Sequence, residues 1–73
     1  MGYTTLSDYV KLMRKEYNLT QVELSDKSGV GLRFVRELER GKQSLRLDKV
    51  NQILNLFGSE VGAVPMDKSK FDL

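Results

Sequence analysis

The chain has no cysteine and no histidine. Disulfides and the common thiolate or imidazole zinc sites are therefore excluded as sources of stability. At 73 residues its length fits one domain,. A domain of that size buries only about 60% of its unfolded surface, so good helix packing or a second subunit must make up for a thin core. No apolar run approaches the ~18 residues of a membrane span, and the start of the chain lacks the basic and apolar regions of a secretory signal. Met1-Gly2 opens like a myristoylation site, but Leu6 stands where that motif needs Ser or Thr,. Asn18-Leu19-Thr20 matches the glycosylation pattern, yet without a secretory route it would not be used,. These absences predict a cytoplasmic protein with no membrane partner. The nucleophile and phosphate-loop motifs of enzymes are missing as well, and the carboxylates are scattered singly,. The expectation is a protein that is not an enzyme, with no catalytic residues, no cofactor and no metal.

Charge is nearly balanced, 12 Lys+Arg against 10 Asp+Glu, so its distribution matters more than its total. Between residues 30 and 46, Arg33, Arg36, Arg40, Lys42 and Arg46 face only Glu37 and Glu39. That segment alone exceeds the net charge of the whole chain. Apolar spacing then divides the sequence into helices. Leu6, Val10, Met13 and Tyr17, with Tyr9, define a first helix over residues 6–17, capped by Thr4 or Thr5 and stopped at Asn18,. Thr20-Gln21-Val22-Glu23 is a capping box that opens a second helix reaching Ser28,. A third runs from Gly31 or Leu32 to Arg40, with Val35 and Leu38 inward and Gly41 as its stop. Leu47, Val50, Leu54 and Phe57 make a fourth, widened by Ile53 and closed by Gly58. Beyond it, residues 59–65 read as a short extended strand ending at Pro65, and the sequence after Met66 as a polar tail.

The second and third helices meet through Ser28-Gly29-Val30-Gly31, which is helix-turn-helix geometry,. Gly29 supplies the positive φ the turn needs. Ser25 is small enough for the crossing, and Leu24, Val30, Val35 and Leu38 are the apolar pegs that fix the angle. Phe34 is expected to lean on Leu38 and cover Leu45.

The residues Leu19-Thr20-Gln21-x-x-Leu24, Gly29-Val30, Val35 and Leu38-Glu39-Arg40-Gly41-Lys42 resemble the Cro/CI, or Xre-like, helix-turn-helix family, from Val10 and Arg14 through Phe57. Within that family, residues 33–42 together with Arg46-Leu47-Asp48-Lys49-Val50 are most similar to HipB-type antitoxins. Three positions depart from the family pattern: Asn18 replaces a frequent Gly, Ser25 a usual Ala, and Ser28 a common larger apolar residue. The resemblance implies an all-α, four-helix lambda-repressor-like domain over residues 1–58, a dimerisation strand over residues 59–66 that pairs across a dimer, and a tail over residues 67–73.

It also implies roles. Leu32, Arg33, Arg36 and Glu37 enter the major groove as base readers. Arg33 is the best reader of guanine, because its fork spans O6 and N7. Arg36 either reads or clamps a phosphate, and Glu37 either accepts from cytosine or holds a neighbouring arginine. Gln21, Arg40, Lys42 and Arg46 contact phosphates, with Lys49 as a further candidate. Arg14 and Glu39 form a structural ion pair. Leu56, Val61, Ala63 and Val64, with Ile53 in support, close a homodimer on a palindromic operator. The implied function is a sequence-specific repressor of double-stranded DNA, the antitoxin and autorepressor of a HipBA-type operon. A HipA-type kinase toxin would then dock on Asn51, Asn55, Leu56 and the tail. A stand-alone phage-like repressor or a restriction-modification controller is the alternative.

Overall fold

A computed structural model describes residues 5–65 of the protein. Four helices follow one another: α1 (Leu6–Glu16), α2 (Gln21–Ser28), α3 (Leu32–Glu39) and α4 (Leu47–Leu56). Their boundaries are set by local chemistry. Thr5 caps α1 by accepting from the Asp8 N–H at 3.2 Å. Thr20 and Glu23 complete the capping box of α2, each side chain taking the other's backbone N–H at 3.1 and 2.9 Å,. The Thr20 N–H and hydroxyl both hold the Glu23 carboxyl below its ordinary range,.

The C-terminal ends of α1, α3 and α4 share one device. After α3, the Gly41 N–H donates to Leu38 O and the Lys42 N–H to Glu37 O, the two bonds of a Schellman motif,. This needs a left-handed residue, and Gly41 has φ +90°. After α4, Gly58 and Ser59 donate to Asn55 and Leu54 in the same way. After α1 the left-handed residue is Asn18, at φ 55°, which an asparagine tolerates,.

The helices enclose one core: Val10 from α1, Leu24 from α2, Val30 from the turn, Val35 and Leu38 from α3, and Val50, Ile53, Leu54 and Phe57 at and beyond α4. Leu6, Tyr9, Met13, Leu19, Phe34, Leu45 and Val61 pack around it. The α1 face is thus as its spacing predicts, except that Tyr17 is half exposed. It still meets Phe57 edge-on, with ring centroids 5.1 Å apart.

Two expectations for α4 are corrected. Ile53 is fully buried, so it is unavailable to a dimer interface; the inward stripe is Val50, Ile53, Leu54 and Phe57. Leu47 is 63% exposed rather than core. It is the first residue of its helix, and side chains tilt toward the N-terminus, so it projects beyond the end of the core.

The strand expected over residues 59–66 is not seen: no strand occurs among the described residues, and Met66 and the tail over residues 67–73 lie outside them. Residues 59–65 run without regular structure, and side chains anchor them at two points. The Tyr9 and Ser59 hydroxyls share a 2.6 Å hydrogen bond. The Val61 N–H donates to Asn51 Oδ1 at 2.8 Å while the Val61 side chain packs on the core. Asn51 is accordingly half-buried and engaged, not a free surface residue.

Replacing Leu24 or Leu38 by alanine is expected to cost about 2–5 kcal/mol of stability, since each is fully enclosed,. Leu47→Ala should change it by less than about 0.5 kcal/mol. Denaturant unfolding of the three variants measures both; equal losses would place Leu47 in the core.

Candidate nucleic-acid interface

The turn between α2 and α3 is built from hydroxyls. Gly29 caps α2 in the left-handed conformation at φ 80°. The Ser25 hydroxyl donates to Val30 O at 2.6 Å, and the Ser28 hydroxyl accepts the Val30 N–H at 3.3 Å. The two serines that depart from the usual apolar pattern thus tie the turn together. Gln52 of α4 donates to Ser28 O at 3.3 Å and braces it from behind.

The angle between the helices is held by a buried polar network. The Arg14 guanidinium on α1 grips the Glu39 carboxylate on α3 with two bonds, Nε to Oε2 at 2.8 Å and Nη2 to Oε1 at 3.1 Å. Its remaining Nη1 donates to Leu19 O at 2.9 Å. Gln21, the first residue of α2, donates to the same Glu39 at 3.2 Å. Only 15% of the Arg14 side chain and 3% of the Glu39 side chain remain exposed. The pair implied by the resemblance is present, and Gln21 joins it.

Outward from this network, Arg33, Arg36 and Glu37 of α3 and its C-cap Arg40 form one stripe, at positions i, i+3, i+4 and i+7,. Arg33 is 93% exposed, and its Nε donates to Glu37 Oε1 at 3.0 Å, which leaves both terminal nitrogens open. Lys42 reaches Glu37 Oε2 at 2.6 Å. Lys42 first, then Arg33, hold the Glu37 carboxyl below its ordinary range,. Leu32 is half-buried at the start of α3, while Arg36 and Arg40 are exposed and make no ion pair among the described residues. Arg46 stands apart from this stripe, beyond the loop, with its guanidinium on Asp48 at 3.1 and 2.7 Å. Phe34 packs against the edge of the core, and Lys49 lies over its ring, 5.9 Å from the centroid,.

The helix-turn-helix family model matches residues 10–63. Over 52 residues the chain is 46% identical to the HTH-type transcriptional regulator y4mF of Sinorhizobium fredii (strain NBRC 101917 / NGR234), across 71% of this chain and 68% of that protein. Over 60 residues it is 28% identical to an immunity repressor protein of Bacillus phage phi105, across 82% of this chain and 42% of that protein. The match thus spans less than half of the phage protein. The chain belongs to the helix-turn-helix family in its Cro/CI-like branch. No helix among the described residues is long and apolar enough to cross a membrane.

One residue escaped the sequence reading. Lys11 of α1 lines a shallow cleft with Gln21, Arg36, Glu39 and Arg40. Only the packing of α1 against α3 brings it there. The one available signal was its position three residues before Arg14 on the same helix.

Removing one partner of the buried pair strands the other. Arg14→Ala and Glu39→Ala should each cost about 3–5 kcal/mol, and the double variant much less than their total. Thermal melts of the four proteins give the coupling, and additive losses would deny the contact an energetic role.

Proposed function

We propose that the protein is a transcriptional repressor that binds double-stranded DNA as a homodimer, with α3 in the major groove. The observation that carries this reading is the exposed Arg33 fork, braced at Nε by Glu37 and open at both terminal nitrogens. A planar fork fixed in this way matches the O6 and N7 acceptors of guanine. Membership of the helix-turn-helix family and the repressor named among the relatives support it. Leu32, at the start of the same helix, meets a thymine methyl. Glu37, with both oxygens engaged, acts by positioning Arg33 rather than by accepting from cytosine. Gln21, Arg40 and Lys42 take phosphates, which set the register without reading sequence. Arg46 joins them only by exchanging Asp48 for a phosphate, an exchange of small cost between exposed groups.

The cellular role follows the HipB-type pattern of residues 33–42: an antitoxin that represses its own operon and holds a HipA-type kinase toxin. The phage immunity repressor among the relatives favours a second reading, a stand-alone repressor. Co-purification from the native host separates them, since a kinase is recovered only with the antitoxin.

Selection of bound duplexes from a randomised library yields the operator, and gel-shift titration then tests the reader. Arg33→Ala should lose about 1–3 kcal/mol on the selected duplex and less on random DNA. Lys42→Ala should weaken both alike. Equal losses for Arg33→Ala on the two DNAs would remove it from base reading.

One recognition helix reads too few base pairs to select a genomic site, so two copies engage half-sites about 10 bp apart. Leu56, 37% exposed, and Val64, 56% exposed, are apolar residues free for this contact. Ala63 is exposed beside them, whereas Val61 is half-buried against its own core. Chain removal after Gly62 keeps the Ser59 and Val61 anchors and deletes Ala63 and Val64 with the residues that follow them. Analytical ultracentrifugation of that variant and of Leu56→Glu should give monomers. If both remain dimeric, the interface lies elsewhere.

A further inference from the structure

The cleft between α1, α2 and α3 is lined by Lys11, Gln21, Arg36, Glu39 and Arg40. Its single carboxylate is already satisfied, with both oxygens taken by Arg14 and one of them shared with Gln21. The three cations of the rim have no such partner: none of Lys11, Arg36 and Arg40 makes an ion pair among the described residues. They come from α1 and from α3 with its C-cap, and they line one concavity in which the only carboxylate is already engaged. We infer that this cleft is a phosphate seat for the DNA backbone, in which Lys11 and Arg36 clamp a phosphodiester together with Arg40.

This rests on the DNA-binding reading and deepens it by moving Arg36 from the bases to the backbone. The geometry separates the two arginines. Arg33 stands almost wholly clear of the surface and is braced by a carboxylate, as a group entering a groove must be. Arg36 is one turn further along the helix, borders a concave site and has no brace. Glu37 contributes to the difference, because it holds Arg33 and Lys42 and leaves Arg36 to the cleft. Lys11 has no neighbour on α3 of opposite charge that is not already paired. A strand of the duplex whose bases face α3 brings its phosphates across this side of the motif.

Fluorescence anisotropy with a labelled random-sequence duplex and with the selected duplex, each over a range of salt concentrations, tests the assignment. Neutralising one phosphate contact lowers the slope of log affinity against log salt by about one per bound chain. Because three cations share one phosphodiester, Lys11→Ala and Arg36→Ala should each weaken both duplexes by the same factor and make the slope shallower by less than about one, and Lys11→Arg should restore the wild-type slope. Circular dichroism melts verify that the variants are folded, as expected for side chains outside the core. An unchanged slope for Lys11→Ala overturns the seat, and so does a loss for Arg36→Ala confined to the selected duplex. Both of these outcomes leave DNA binding itself intact. Wild-type protein that binds neither duplex would instead overturn the DNA-binding reading on which the seat depends.

Discussion

The ion pair between Arg14 and Glu39 is the constraint on which the arrangement of the helices depends. It is bidentate, almost dry, and connects α1 to α3. Through Leu19 O it also fixes the segment leaving α1, and through Gln21 it fixes the first turn of α2. A pair of this kind adds little net stability, because taking two charges out of water offsets most of their attraction. Its effect is geometric. Apolar contacts among Leu24, Val35 and Leu38 tolerate small rotations, whereas two parallel N–H···O bonds do not. The orientation of α3, and with it the direction of every side chain on its outer stripe, is set by a polar contact behind it.

That separation between a buried and an exposed carboxylate organises the charge of the motif. Glu39 satisfies Arg14 inside, and Glu37 satisfies Arg33 and Lys42 outside. Arg46 pairs with Asp48, while Arg36 and Arg40 make no ion pair among the described residues, so the positive segment noted in the sequence resolves into braced and unbraced cations. A braced arginine has lost part of its conformational entropy before it meets a ligand, which favours a specific contact. An unbraced one adapts to whatever phosphate is nearest. The two behaviours suit the two tasks that a DNA-binding surface has to combine.

Much of this was legible in the sequence, and the reason is that the helix signals are local. The Thr20–Glu23 box, the Gly29 turn and the stops at Asn18, Gly41 and Gly58 each depend on four to six neighbouring residues. The core followed from spacing, apart from Leu47, whose place at a helix start removes the cover that its period predicts. The segment after Gly58 was less legible. Its apolar residues gave a strand pattern, but the hydroxyl of Tyr9 and the amide of Asn51 hold it instead, and both partners are remote in sequence. Lys11 was invisible for the same reason: its place in the cleft exists only where α1 meets α3. In the Arg33–Glu37 pair the spacing showed the possibility of contact, and the structure added that Lys42 takes the other oxygen of the same carboxylate.

The two central helices have only eight residues each. Isolated helices of that length are not stable in water, since too few hydrogen bonds repay the cost of nucleation. They form because α1 and α4 complete a core around them, because α2 is capped by the Thr20–Glu23 box and Gly29, and because α3 is closed at Gly41. An outer stripe of about 12 Å, the length of eight helical residues, therefore rests on a scaffold several times its size. This explains why the outer stripe of α3 carries polar and charged residues without loss of the helix: Val35 and Leu38 hold it from one side, and Arg14 fixes it through Glu39. The outward positions are left free to vary in chemistry, so a substitution at Arg33 does not require a change of fold.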